Sequence, residues 1–395
     1  MLAAVQVWNE IGLPPVPVTF WAAEKNAAKR QLLIQRTSPH MRVDQVFGDV
    51  KDLVQPQCYD YLNQCWTDPK EADIYVCGTP CVDLSALNSK QIEFGPGCDG
   101  QSSSVIDDVM AVVEKRKPLA VILENVERIL HKRKCQGGQP GHKMVFARMK
   151  SMGYIGAFAI LDAARWLPQR RSRAWFVFLQ PNCGDPGQVL DLARRCQPAV
   201  PPSLQDLPFM SKLGKAHSER QRKQHTKKDR KLKWPSQTLH FIETHGLKPA
   251  KLAACKHGLM LCQDFQTLNL REQHLLIARY TYLQQCEALD PFSTCIILDI
   301  SQSVGRVPWA VGKTPCLTGS SKLWVSKPGT ILPAEVCAAV QGVPEALDAG
   351  IPHNWMRNLL GNAFCGPVAQ SVLLSTLAVM GCCDLMRCEP DDCDR

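Results

Sequence analysis

Through the first 180 residues, short apolar runs alternate with helix-like stretches, and four of the runs lead to a polar or reactive residue. Val18-Thr19-Phe20-Trp21-Ala22-Ala23 ends at Glu24, and Val43 to Phe47 ends at Gly48-Asp49. Ile74-Tyr75-Val76-Cys77 leads into Gly78-Thr79-Pro80-Cys81, and Leu119 to Leu123 leads into Glu124-Asn125. Helices are expected over 25–36, 104–116 and 142–152, and further strands over 154–161 and 174–179. Residues 2–11 read as a short helix closed by Gly12, a good C-terminal cap. Strands alternating with helices give an α/β sheet whose faces are covered. In such sheets ligands bind beyond the carboxyl ends of the strands. Glu24, Asp49, Cys81 and Glu124 all fall there, and together they define a candidate site.

After about residue 180 the alternation stops. Residues 181–330 are richer in Pro, Cys and basic residues and read as a second domain of mixed structure. Helices are expected again over 333–342 and 366–380, the latter apolar enough to pack back onto the sheet. The expected organisation is therefore 1–180, 181–330 and a returning segment, 331–395. No apolar run reaches the roughly 18 residues that span a bilayer, so no membrane partner is expected. The start lacks a basic stretch followed by an apolar core, so a secretory signal is not expected either. The 19 cysteines are odd in number and scattered, which suits reduced thiols in an intracellular compartment. Cys382, Cys383, Cys388 and Cys393 lack paired C-x-x-C spacing and have no His nearby, so no metal is expected there. The net charge is +9, and 211–234 holds ten basic and two acidic residues, leaving the rest nearly neutral. Such a block is a solvated loop, a polyanion contact or a nuclear targeting signal.

Three segments carry chemistry. Cys81 sits in a turn after a strand, and a thiol with a pKa of about 8.5 needs a local activator to act as a nucleophile near neutrality. Glu124 directly follows an apolar strand, where a charge without a partner is costly. A protonated carboxyl there could donate to a ring nitrogen, and a plain helix cap is the alternative. Gln169-Arg170-Arg171-Ser172-Arg173 precedes the strand Ala174–Leu179. Alternate residues of an extended segment share a face, so Arg171 and Arg173 are expected to point together. Such a pair suits a carboxylate, a phosphate or a base edge.

Gly78-Thr79-Pro80-Cys81-Val82-Asp83-Leu84-Ser85 resembles the Pro-Cys nucleophile motif of the cytosine-C5-specific DNA methyltransferases. Glu124-Asn125-Val126 matches their Glu-Asn-Val motif, and Asp162 to Arg173 resembles their segment ending in Gln-x-Arg-x-Arg. Leu360-Gly361-Asn362-Ala363, followed by Val368-Ala369, looks like their last motif. The resemblance covers 2–180 and 331–375 and keeps the family's order. It implies a Rossmann-like, S-adenosylmethionine-dependent sheet, with 181–330 as target-recognition domain. It implies that Cys81 attacks C6 of a flipped cytosine in a DNA duplex and that Glu124 holds or protonates N3. Arg173 would contact the base, and Arg171 would steady the acid. Glu24 would take the cofactor ribose and Asp49 its adenine amine. Pro80, Asn362 and Ala363 would complete the cofactor site. Within the recognition domain, Asp299 to Arg306 and Thr314 to Thr318 would be base-proximal, and the basic block would meet phosphates.

The chain also departs from that pattern. Val82 replaces the usual Gln after the nucleophile, and Gln101 or a nearby Ser stands where an Arg is common. A first strand with a Phe-x-Gly-x-Gly loop does not precede Glu24. A gap is thus expected in mid-sheet, between the strand leading to Glu24 and the one leading to Cys81. Weak binding of S-adenosylmethionine would follow. The competing expectations are a catalytically silent nucleic-acid-binding relative and an RNA cytosine-5 methyltransferase, though the Cys-Phe-Thr of the tRNA-directed branch is not found. The expected compartment is the nucleus in a eukaryote and the cytoplasm otherwise.

Overall fold

The structure, a computed structural model, describes residues 20–35, 43–79, 101–131, 140–200, 202–204, 234–262, 264–343 and 351–385. They divide into two compact units. One holds the described residues within 1–162, 172–197 and 367–395, and the other those within 163–171 and 198–366.

In the first unit β1 (Trp21–Ala23) leads to helix α1 (Ala27–Gln35) and pairs in parallel with β2 (Gln45–Phe47). A small antiparallel hairpin follows, β3 (Cys58–Asp60) and β4 (Cys65–Thr67). Then come β5 (Ile74–Gly78), α2 (Gln101–Arg116), β6 (Ala120–Val126), α3 (Gly141–Ser151), β7 (Ile155–Asp162), β8 (Ser172–Leu179) and α4 (Pro186–Arg195). The four longer strands form one sheet in the order β5-β6-β8-β7, with β5 and β6 parallel and the other pairings antiparallel. Ala120 to Leu123 and Ala174 to Leu179 are buried along their whole length, because β6 and β8 are covered on both faces. Phe146 on α3 meets Phe178 at 5.0 Å and Phe176 at 6.1 Å, both edge-on, which locks this helix to the sheet. Asp185 caps α4 by accepting from the Gly187 N–H, with Pro186 in the first turn.

Among the described residues no ladder joins β1 to β5, so the two parallel pairs belong to separate sheets. What links them is aromatic. The Trp21 ring lies 6.0 Å from Phe47 and 6.1 Å from Tyr75, and its indole N–H donates to the Lys70 carbonyl.

The second unit contains α5 (Ser236–Thr244), α6 (Pro249–Met260) and α7 (Leu270–Cys286). It also contains an antiparallel sheet in the order β10-β9-β11-β12, formed by β9 (Ile296–Asp299), β10 (Trp309–Val311), β11 (Leu323–Val325) and β12 (Thr330–Ile331). A capping box starts α7: Asn269 accepts from the Glu272 N–H, and Glu272 accepts from the Asn269 N–H. The buried Trp324 indole donates to the Tyr280 hydroxyl at 2.8 Å, and that hydroxyl bonds the Ser326 carbonyl at 3.2 Å, so α7 is fastened to the sheet by satisfied polar groups. Helix α8 (Ala334–Gln341) ends at Gly342 in the left-handed region (φ 69°), and α9 (His353–Asn362) follows. Val336, Val340, Met356 and Leu360 from these helices share a core with Leu317, Leu323 and Val325.

Both helices therefore pack in the second unit, and only α10 (Gly366–Leu385) falls in the first. Residues 163–171 also fall in the second unit, through the Gln169–Thr314 bridge and the Arg170 N–H to Thr314 carbonyl bond. The units thus exchange segments at places other than 180 and 331. The stretch Trp355–Gly381, which runs across α9 and α10, has the length and mean composition of a membrane span. Val368, Val372, Leu373 and Val379 within it are buried in the protein, as on a core helix.

Candidate active site

Strand β6 carries Glu124 and Asn125 at its carboxyl end, and β8 lies beside it. In their register Trp175 faces Glu124 and Arg173 faces Val126. Glu124 and Arg173 are thus diagonal neighbours on one face of the sheet, within reach of long side chains. The Arg173 Nε lies 3.1 Å from the Glu124 Oε1, with the two side chains 15% and 9% exposed. A cation and a carboxylate so nearly desolvated attract each other more strongly than a surface pair does. Arg173 also donates from Nη1 to the Ser172 carbonyl at 2.8 Å, and the Ser172 hydroxyl bonds Glu127 at 3.0 Å.

Asn125 points to the other side of the strand and ties it to the turn after β5. Its Nδ2 donates to the Thr79 hydroxyl at 2.6 Å, and the Thr79 N–H donates to the Glu124 carbonyl at 3.3 Å. Thr79 and Asn125 are both buried. The backbone entering Pro80-Cys81 is therefore anchored to the residue that carries the carboxylate. Asn125 and Thr79 were not singled out from sequence as site residues, although both lie inside the quoted motifs.

Pro80, Cys81 and residues 82–100 lie outside the described residues. A second thiol, Cys77, sits on β5 opposite Leu123. Burial, and secondarily the negative charge of Glu124, push its pKa up to about 12. Cys77 is thus kept neutral and unreactive.

Arg171 lies in the stretch 163–171. It is 5% exposed and sits in the second unit, where Nη1 donates to the carbonyls of Leu317 (3.1 Å) and Gly361 (3.4 Å) and Nη2 to that of Ala363 (2.9 Å). Within that unit it fastens the Leu317 segment to the end of α9. Arg173, inside β8, is the cation beside Glu124.

Gly361 is required where it stands. A Cβ there would lie 2.1 Å from the Thr318 carbonyl carbon and 2.2 Å from the Gly319 nitrogen, so α9 approaches that loop backbone to backbone. The Asn362 side chain turns back on its own helix and donates to the Asn358 carbonyl at 2.8 Å. The Ala363 carbonyl also accepts from Gln341 at 2.9 Å. In the same unit Asp299 is fully buried and accepts from Ser301 N–H, Lys322 N–H and the Ser321 hydroxyl, and Ser321 in turn bonds Thr318. The two loops expected near the base, 299–306 and 314–318, are thereby braced together. The basic residues from Lys212 to Lys233 lie outside the described residues.

Glu24 and Asp49 come together at the carboxyl ends of β1 and β2. The Glu24 N–H donates to the Phe47 carbonyl at 3.1 Å, and Glu24 Oε1 accepts from the Asn26 N–H at 2.7 Å. Asp49 caps the next turn by accepting from the Lys51 N–H, and its other oxygen pairs with Lys25 Nζ at 2.8 Å. Burial pushes the Asp49 carboxyl up, but the Lys25 ammonium and the Lys51 N–H outweigh it and leave it below its ordinary value. The carboxylate oxygens are hydrogen-bond acceptors, which suits donors such as hydroxyls and an amine.

Residues 21–377 match the family model described as C-5 cytosine-specific DNA methylase. Among curated proteins the chain is 28% identical over 118 residues to the type II methyltransferase M.BsuFI of Bacillus subtilis, covering 30% of this chain and 27% of that protein. It is 24% identical over 360 residues to the DNA (cytosine-5-)-methyltransferase DMT5 of Cryptococcus neoformans, covering 85% of this chain and 14% of that protein. The matched lengths are thus under a third of either relative. Among solved structures it is similar to the S. pombe Dnmt2 methyltransferase, at 11% identity and a TM-score of 0.46 over 95% of each chain.

Proposed function

The chain belongs to the C-5 cytosine-specific DNA methylase family, and on that premise we propose that it transfers a methyl group to C5 of cytosine in duplex DNA. The observation that carries the reading is the buried Glu124–Arg173 pair beside the Asn125–Thr79 tether. Together they set a carboxyl group at a fixed place relative to the backbone that leads into Cys81.

The methyl donor is S-adenosylmethionine, whose sulfonium supplies an electrophilic methyl group. The described residues fit its adenosine half: Glu24 would accept from the ribose hydroxyls and Asp49 from the adenine amine. Pro80, Asn362 and Ala363 are the proposed contacts toward the rest of the cofactor. The target cytosine must leave the duplex stack to be reached. Cys81 thiolate adds to C6, and its electron pair moves through the ring to C5. Glu124, as the carboxylic acid, would hold or protonate N3 as electron density builds there, with Arg173 beside it. C5 would take the methyl group as its bond to the donor's sulfonium sulfur breaks and S-adenosylhomocysteine leaves. C5 would then give its proton to a solvent base, and the C5–C6 double bond would re-form as the C6–S bond to Cys81 breaks. Arg171 acts at a distance, by holding the Leu317 and Ala363 segments. In the second unit, the braced loops 299–306 and 314–318 are the proposed base readers, and the 211–234 block the phosphate contact.

The test is transfer of labelled methyl groups from S-adenosylmethionine to duplex DNA, with tRNA as the competing acceptor. Label in DNA that maps to C5 of cytosine is the expected result. Label in tRNA alone would move the chemistry to RNA. No label in either, from a chain shown to be folded, would favour a silent DNA-binding relative.

A further inference from the structure

The hairpin β3–β4 has no part in the chemistry above, yet it is docked against the end of β2 with unusual care. Asp60 is fully buried, and its carboxylate accepts from the Val46 N–H (3.0 Å), the Leu62 N–H (2.9 Å) and Asn63 Nδ2 (2.6 Å). The Tyr61 N–H then donates to the Val46 carbonyl at 2.7 Å. These bonds deliver the Tyr61 ring to the turn that follows β2. A Cβ on Gly48 would lie 3.3 Å from the Tyr61 ring, so the ring rests on the residue just before Asp49.

The opposite side of that contact is a cation. The Arg30 guanidinium, reaching from α1, stacks over Tyr61 at 3.7 Å from the ring centroid. Its Nη1 also donates to the carbonyls of Glu24 (2.8 Å) and Lys25 (3.2 Å). One guanidinium thus grips the turn after β1, and the ring it stacks on grips the turn after β2. The turn after β1 leads into α1, and Asp49 in the turn after β2 caps the short helix Val50–Val54. Further links among the described residues include the β1–β2 ladder that ends at Ala23 and Phe47, the Glu24 N–H to Phe47 carbonyl bond and the Lys25–Asp49 ion pair, and Lys25 is 80% exposed. An exposed ion pair contributes little to holding a geometry.

We infer that Arg30 and Tyr61 form a clamp that sets the spacing of Glu24 and Asp49, and thereby the affinity of this end of the site for the adenosine moiety of the methyl donor. The inference rests on the cofactor reading given above. Arg30 and Tyr61 are positioning residues: they act through the two carboxylates, and not on the reacting atoms. A guanidinium stack and two charge-assisted bonds to carbonyls are together strong enough to bias two short turns.

The experiment measures the Kd for S-adenosylhomocysteine by calorimetry and the KM values for S-adenosylmethionine and DNA, on the full chain. The variants are Arg30→Met, Tyr61→Leu and Tyr61→Phe. Arg30→Met and Tyr61→Leu are expected to weaken S-adenosylhomocysteine binding about tenfold, close to 1.4 kcal/mol. KM for S-adenosylmethionine should rise by a similar factor, with KM for DNA within about twofold of the parent. Tyr61→Phe keeps the ring and should bind like the parent. A general loss of structure would instead raise both KM values and lower the Tm of Tyr61→Phe as well as of Tyr61→Leu, and would overturn the clamp. Unchanged affinity in Arg30→Met and Tyr61→Leu would overturn it too, with the cofactor reading intact. No binding by the parent chain would remove the cofactor reading itself.

Discussion

Cys81→Ser is expected to lower methyl transfer by a factor on the order of 10³ or more, whereas Cys77→Ala stays within a few-fold of the parent. The two thiols are four residues apart, and only one is expected to be available as a nucleophile. Cys77 is held on β5, where burial and the Glu124 charge push its pKa up to about 12. At neutral pH its thiolate is then a fraction on the order of 10⁻⁴ or less. Removing its sulfur leaves a small cavity and no orphaned polar group, so the fold tolerates alanine. Cys81 comes two residues after Thr79 in the sequence, and Asn125 holds Thr79 at the end of that strand. A hydroxyl at position 81 is a far weaker nucleophile at this pH and cannot replace a thiolate in adding to C6. Label incorporation at saturating donor and DNA, with circular dichroism to show that both variants fold, decides the matter. Comparable losses in the two variants would mean that Cys81 has no special role.

Glu124→Gln is expected to reduce turnover by about 10² to 10⁴-fold, the range for removal of a positioned acid or base. The amide keeps the shape and can still bond Arg173, so stability should change little. Arg173→Met is different. It leaves the Glu124 carboxylate, 9% exposed, without its cation, and breaking a buried pair from one side costs about 3–5 kcal/mol. The double variant Glu124→Gln/Arg173→Met removes the orphaned charge, so it should be more stable than Arg173→Met alone and no more active than Glu124→Gln. Denaturant midpoints and initial rates over this cycle measure both quantities. Additive losses of stability would show that the pair does not couple, and would undo the role given to Arg173.

Much of this was legible in the chain before any coordinates. The uninterrupted apolar runs at 120–123 and 174–179 mark strands covered on both faces, and they became β6 and β8. Glu124-Asn125-Val126 falls at the end of β6, as expected, because a strand end is local information. The partner of that carboxylate was not local. It depends on the register that sets Arg173 diagonal to Glu124, whereas the resemblance gave Arg171 the place beside the acid and Arg173 the contact with the base. The β3–β4 hairpin was missed because its strands are three residues each and its stabilising group is a buried aspartate, a residue that reads as a loop signal. The segment exchange between units was missed for a related reason. Residues 163–171 and the two helices α8 and α9 are held by Thr314, Leu317 and the β9–β12 sheet, which lie far away along the chain.

The most direct test of the central claim uses duplex DNA in which target cytosines carry fluorine at C5. Methylation would then leave fluorine where a proton should depart, so the Cys81 sulfur could not be released. With S-adenosylmethionine present, the parent chain should form a covalent complex with this DNA that survives denaturation. The complex should be absent without the methyl donor and absent with Cys81→Ser. A parent chain that binds the DNA yet forms no such complex, or one that Cys81→Ser forms equally well, would contradict covalent cytosine-C5 chemistry at this site.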